Sequence, residues 1–154
     1  MMPINLVIGI TELRGFQPLY FGEYPVSYGN VAVAAAIMCE NDKLNPCEAW
    51  VLAVQDGFPT SPSSQKKGCP KSAFLGLCGK GLVRGVSKGK YSRSVLNSCY
   101  AVTAVQILQA LDGQRLDRNG LWDAVMTKTG KQIQHNYQMD VVLALWDRQL
   151  IDLA

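Results

Sequence analysis

The sequence contains a single histidine, His135, among its 154 residues. Zinc sites built on two or three histidines, and the His-Glu-x-x-His helix of metalloproteases, are therefore excluded. The five cysteines are odd in number, and their spacings fit neither a Cys-x-x-Cys zinc pattern nor a disulfide framework. We therefore predict reduced thiols, no metal site and no cofactor.

Long apolar runs are missing as well. No run approaches the roughly 18 residues that a transmembrane helix requires, and Ile4–Ile10 lacks the preceding positive charge of a secretory signal. Charged residues make up only 18% of the chain and hydrophobic residues 48%, which indicates one folded domain and not a disordered chain. We expect a cytoplasmic protein that does not associate with membranes.

Acidic residues are absent between Gly57 and Leu111, although both ends of the chain contain them. Eight basic residues fall in this acid-free stretch: Lys66, Lys67, Lys71, Lys80, Arg84, Lys88, Lys90 and Arg93. All except Lys80 are candidate binding residues. This basic segment (residues 66–93) favours nucleic acid or another anionic partner; alternatively, it contacts the acidic ends of its own chain or of a second subunit.

Residues 27–154 carry the periodic apolar pattern of α-helices. Asn45-Pro46-Cys47-Glu48 is typical of a helix start, because asparagine can cap and proline fits the first helical position. The apolar positions from Leu96 to Leu111 keep helical spacing throughout, which predicts a central helix. We predict a mainly α, single-domain bundle of about six helices with one small β-hairpin.

Residues 1–26 lack this pattern, because proline and glycine repeatedly interrupt short apolar pieces. We predict an irregular N-terminal arm that packs across the helical domain or reaches another subunit. A partly disordered leader is the alternative.

Cys69 is the most reactive-looking side chain. It stands just before Pro70 at a predicted helix start, and lysines surround it in the sequence. A helix dipole and nearby ammonium groups both favour a nucleophilic thiol. With His135 as base, Cys69 would make the protein a cysteine-dependent enzyme; otherwise it is a small residue that fills the helix start.

Four aromatic residues in predicted helical stripes are candidates for an apolar small-molecule pocket: Trp50, Tyr100, Trp122 and Trp146. Packing in the core is the alternative. The C-terminal helices are apolar on more than one side, with Val141 and Leu145 opposite Val142 and Trp146. This pattern predicts a helical homodimer surface.

The stretch Phe74-Leu75-Gly76-Leu77-Cys78-Gly79-Lys80-Gly81-Leu82-Val83-Arg84, continued by Lys88-Gly89-Lys90-Tyr91, resembles the step from recognition helix to wing in winged helix-turn-helix proteins. The resemblance implies DNA binding, with Lys66, Lys67 and Lys71 at the start of the groove-facing helix. It places Lys88, Lys90 and Arg93 on the wing as phosphate contacts. The long gap between Asp56 and Pro70 departs from the family pattern, which joins its helices by about three or four residues.

A second resemblance involves Gly68-Cys69-Pro70-Lys71-Ser72-Ala73-Phe74-Leu75-Gly76-Leu77-Cys78, which is similar to a motif of small uncharacterised bacterial proteins. The similarity extends roughly from Tyr28 to Leu111 and implies no known activity. No catalytic residue follows from it.

We therefore predict a binding or regulatory module, not an enzyme, that uses the basic segment as its contact surface. Winged-helix-like DNA binding is the most specific form of this hypothesis. A small-molecule-binding homodimer with a tryptophan-lined pocket and a cysteine-dependent enzyme are the alternatives.

Overall fold

The computed structural model describes residues 26–153 of the chain. Helices and their connections make up this part of the protein: α1 (Tyr28–Asp42), α2 (Pro46–Gly57), α3 (Pro62–Gln65), α4 (Gly68–Gly79), α5 (Val95–Ala110), α6 (Arg118–Thr129) and α7 (Gln138–Asp147). The predicted mainly α fold is confirmed. The predicted arm over residues 1–26 lies outside the described residues except for Val26.

Side-chain caps explain where several helices begin. At α5, Ser94 Oγ accepts a hydrogen bond from the Asn97 amide at 3.3 Å. At α6 the cap is Asp117, whose Oδ1 accepts a hydrogen bond from the Gly120 amide at 2.8 Å. Each cap satisfies an amide that the helix itself leaves without a partner.

α4 and α7 occupy the centre of the bundle. α4 packs against α2, α5 and α7, while α7 packs against α1, α4, α5 and α6. Small residues permit the closest approaches: a Cβ on Gly29 of α1 would lie 2.8 Å from the Asp140 carbonyl oxygen of α7. Each of these two helices is therefore held by contacts with several neighbours.

The predicted β-hairpin is wrong. Val83 instead forms an isolated antiparallel bridge with Ile151, far along the chain. The Asp152 amide donates to the Leu82 carbonyl oxygen at 2.7 Å and completes this pairing. Residues 87–91 return to the carboxyl end of α4, where the amide of Gly89 donates to a glycine of that helix. They are therefore not placed to pair with residues 82–86.

Three of the four residues that predicted a homodimer surface lie inside the bundle, and the fourth, Trp146, is half-buried. Val141, Val142 and Leu145 are all buried, because α7 contacts other helices of its own chain on several sides. Contacts within the chain thus explain the apolar residues on opposite sides of α7. None of the described helices is long and apolar enough to span a membrane.

Candidate functional site

The winged-helix interpretation fails at α4 as well as at the hairpin. A recognition helix presents an exposed face to the groove of DNA, but every residue from Ala73 to Cys78 is buried. The ends of α4 are its accessible parts. The resemblance to a recognition helix and wing therefore reflects a buried helix followed by a tight turn.

The basic segment does not form one surface. α4 spans 12 residues, a length of about 18 Å, and this length separates two groups of lysines: Lys66, Lys67 and Lys71 at its amino-terminal end, and Lys80, Lys88 and Lys90 at its carboxyl end. Arg84 forms an ion pair with Glu40 at 3.5 Å, so an acidic residue of the same chain already neutralises it. Arg93 is exposed in the loop before α5.

The first turn of α4 has no side-chain cap. Its N-cap residue is Lys67, which makes no side-chain capping hydrogen bond. Cys69 lies inside this turn, and not just before it as predicted. Because Pro70 has no amide hydrogen, the amides of Gly68 and Cys69 are those that the helix leaves unpaired. The positive end of the helix dipole lies here too, so this turn offers N–H donors in a positive field.

Aromatic residues contact the segment that precedes α4. The Tyr28 hydroxyl donates to the Ser64 carbonyl oxygen of α3 at 2.8 Å. The ring centroids of Tyr28 and Tyr137 lie 5.0 Å apart, and Lys67 Nζ lies 5.6 Å from the centroid of Tyr137. The Lys67 ammonium group is thus placed over the start of α7 by a cation–π contact.

The Cys69 thiol lies beside the side-chain amide of Asn97, which is itself hydrogen-bonded to the side-chain amide of Gln138. Asn97 Nδ2 lies 3.8 Å from Cys69 Sγ, and Asn97 Oδ1 accepts from Gln138 Nε2 at 3.1 Å. Gln138 is only 1% exposed, and its Oε1 accepts from the Asn136 amide at 2.6 Å. Lys71 follows Cys69 by two residues, a spacing that places the two side chains on different sides of a helix. The partner of the thiol is therefore the Asn97 amide and not a lysine.

The side chain of His135 contacts α6 and α7. Its Nε2 accepts a hydrogen bond from the Met139 amide at 3.0 Å, which caps α7. Its ring packs edge-on against Trp122, with centroids 5.2 Å apart. Burial lowers the pKa of His135; Asp140, 3.8 Å away, opposes this shift and Arg118 adds to it. Within residues 26–153, no hydrogen bond or ion pair joins His135 to Cys69.

Comparison with known proteins gives a family but no activity. The model of a family of unknown function, DUF6979, matches residues 26–152. The chain belongs to DUF6979. The match extends well past Leu111, where the similarity predicted from the sequence motif ended, and includes α6 and α7. No curated protein and no solved structure matches the chain.

The aromatic residues predicted to line one pocket are spread through this DUF6979 fold. Trp50 and Tyr100 are buried, with the ring of Trp50 5.5 Å from that of Phe74. Trp122 alone among the four lines a groove of about 810 Å³ between α6 and residues 130–134. Trp146 is half-buried on α7. Core packing accounts for Trp50 and Tyr100.

Asn97 and Gln138 were not identified from the sequence. Each stands in the first turn of a helix, where an amide side chain is ordinary. Their partners lie 28 and 41 residues away along the chain, so local spacing carries no sign of the contacts. The usable signal is Gln138 itself, a polar residue that stands three residues before the apolar run Val141–Trp146. Among the described residues, no group of three His, Cys, Asp or Glu side chains could hold a metal ion.

Proposed function

We propose that this protein is a binding module and that it takes an anionic group at the amino-terminal end of α4. The observation that carries the proposal is the uncapped first turn of α4 beside Lys66 and Lys67. Unpaired amides at a helix start bind carboxylate and phosphate groups in many proteins, because N–H donors and the helix dipole act together. The ligand we propose is an anionic partner that offers such a group.

The surroundings of this turn support an anion and not a cation. No acidic residue occurs between Gly57 and Leu111. Lys66 and Lys67 directly precede Gly68 in the sequence; Lys66 is exposed, and the Lys67 ammonium group lies over the ring of Tyr137. The buried Gln138 fixes Asn97 next to the same turn. A site held this rigidly loses little conformational freedom when a ligand binds.

Binding is measured by fluorescence anisotropy with a labelled oligo-glutamate peptide and, separately, a labelled DNA duplex. We expect saturable binding of one of these probes that weakens between about 50 and 200 mM salt. Replacing Lys66→Glu and Lys67→Glu together should lower the affinity at least tenfold. The matched control replaces Lys128→Glu and Lys131→Glu, which are exposed on and just after α6. No binding at the lower salt, or equal losses in both variants, contradicts the proposal.

Thiol chemistry at Cys69 is a second candidate, favoured by the Asn97 amide that Gln138 fixes near Sγ. Iodoacetamide labelling followed by peptide mass spectrometry measures it. Burial raises the pKa of Cys39 to about 12 and also raises that of Cys78, so both serve as unreactive references. Cys99 is exposed and Cys69 only half-exposed. Faster labelling of Cys69 than of Cys99 supports an activated thiol, and slower labelling removes this candidate.

A further inference from the structure

A cavity of about 170 Å³ lies at the opposite end of α4 from the proposed anion site. Its walls come from the end of α4, from the loop after it and from the first turn of α5: Leu75, Gly76, Gly79, Lys80, Gly89, Lys90, Tyr91, Ser92 and Ser98. Two of these residues are lysines and none is acidic. The cavity therefore has a net positive charge of its own.

The loop that forms one wall is fixed to α4. The Gly89 amide donates to the Gly79 carbonyl oxygen at 3.2 Å. A Cβ on Gly79 would lie 2.8 Å from the Gly89 carbonyl oxygen, so glycine is needed for this approach. The Tyr91 hydroxyl donates to the Ser87 carbonyl oxygen at 2.8 Å and braces the loop from the other side. Lys90, which stands between Gly89 and Tyr91, is thereby held at the rim.

The carboxyl end of a helix normally repels anions, because its last carbonyl groups are unpaired. Here the following loop supplies their donors. The Lys80 amide donates a hydrogen bond to the Gly76 carbonyl oxygen at 3.2 Å. The Gly81 amide donates to the Cys78 carbonyl oxygen, and the Leu82 amide donates to the Leu77 carbonyl oxygen, both at 3.0 Å. Gly79 receives its bond from Gly89, as described above. These carbonyl oxygens are all paired, which weakens the negative field that the cavity would otherwise experience.

The cavity also contains a hydroxyl that is able to donate. Ser92 Oγ accepts from the Ser94 amide at 3.1 Å, and its own hydrogen is not used in that bond. Ser98 differs, since its hydroxyl donates to the Ser94 carbonyl oxygen at 2.8 Å. Lys80, Lys90 and Ser92 line this small space, and their side chains carry two ammonium groups and one O–H donor. Tetrahedral oxyanions are bound by such sets of charged and neutral donors.

We propose that this cavity binds a phosphate group, either as inorganic phosphate or as a small phosphomonoester. Lys80 and Lys90 supply the charge, and Ser92 donates a hydrogen bond to a phosphate oxygen. The proposal does not depend on the function assigned above, because the two sites share no residue and lie at opposite ends of α4.

The test follows amide signals of the full chain by NMR while inorganic phosphate is added at constant ionic strength. We expect saturable shifts at Lys80, Lys90, Ser92 and Ser98. The double variant Lys80→Gln with Lys90→Gln should bind at least tenfold more weakly. The control variant Lys128→Gln with Lys131→Gln loses the same charge from exposed positions and should bind as the unaltered protein does.

A second arm repeats the titration with methyl phosphate. Binding of both compounds assigns the cavity to phosphomonoesters, and binding of phosphate alone assigns it to the free ion. Shifts that do not saturate, or that are equal in the two double variants, overturn the proposal. Shifts confined to Gly68 and Cys69 also overturn it, and they would support the site at the other end of α4 instead.

Discussion

At the scale of single residues, the protonation state of the His135 imidazole affects the start of α7. Its Nε2 accepts the Met139 amide only while that nitrogen carries no proton. Protonation would remove the acceptor and place a cation at the positive end of α7, which is unfavourable. Asp140 is close enough to offset part of this cost, and Arg118, paired with Asp140, adds to it.

We therefore predict that stability falls at acid pH through His135. Its pKa in the folded protein is lowered from 6.5, so the unfolded chain binds the proton more tightly. The stabilising contribution of neutral His135 is complete above that unfolded value and is lost as the pH falls through the lower folded pKa. Urea unfolding between pH 7.5 and about 5 measures this loss.

His135→Gln provides the control, since its amide oxygen can still accept a hydrogen bond but does not titrate in this range. The variant should show a smaller fall in the free energy of unfolding over the same pH interval. An equal fall in both proteins assigns the pH dependence to other groups.

At the scale of helices, the contact between α4 and α5 depends on the absence of a side chain. A Cβ on Gly76 would lie 2.4 Å from Ser98 Oγ and 2.6 Å from Ser98 Cα. The backbone of α5 thus rests against α4 at this point, close to both Asn97 and the lysine-lined cavity. Movement of α5 here would disturb the two candidate sites together.

Gly76→Ala is therefore expected to destabilise the protein, although alanine is the better helix former. Overpacking of this kind costs about 1–3 kcal/mol, and thermal unfolding followed by circular dichroism measures it. Gly68→Ala is the matched control in the same helix, because a Cβ there meets nothing within 4 Å. If both variants unfold at the same temperature, the α4–α5 contact is looser than described.

Helices with local sequence patterns can be predicted from the sequence, whereas contacts between distant residues cannot. Helix starts such as Asn45–Pro46 and the long face of α5 are local patterns, and the structure contains both helices. The residues after α4 carry no sign of their partner in the sequence, because Val83 pairs with Ile151, which lies far along the chain. The sequence places Cys69 at a helix start, but it does not show that Asn97 of α5 contacts the thiol or that Gln138 of α7 holds Asn97.

At the scale of the whole molecule, the fold divides charges that are adjacent in the sequence. α4 holds one group of lysines at each end and buries the residues between them. A single ligand therefore contacts fewer positive charges than the total over residues 66–93 suggests. Two separate anion sites fit this arrangement better than one extended surface for a long polyanion.

The C-terminal residues close the fold by pairing with the loop after α4, and this contact yields the last prediction. Asp152→Pro removes the amide that donates to Leu82 at 2.7 Å, and proline favours an extended conformation in the residue before it, as the bridge at Ile151 requires. The loss of one such hydrogen bond costs about 0.5–1.5 kcal/mol.

The control variant Asp152→Ala keeps the amide and removes the same carboxylate. We expect a lower free energy of unfolding for the proline variant than for the alanine variant, together with faster hydrogen exchange at the Arg84 amide, which donates to Leu150 in the same pairing. Equal stability and equal exchange would show that the C-terminal residues do not hold this loop.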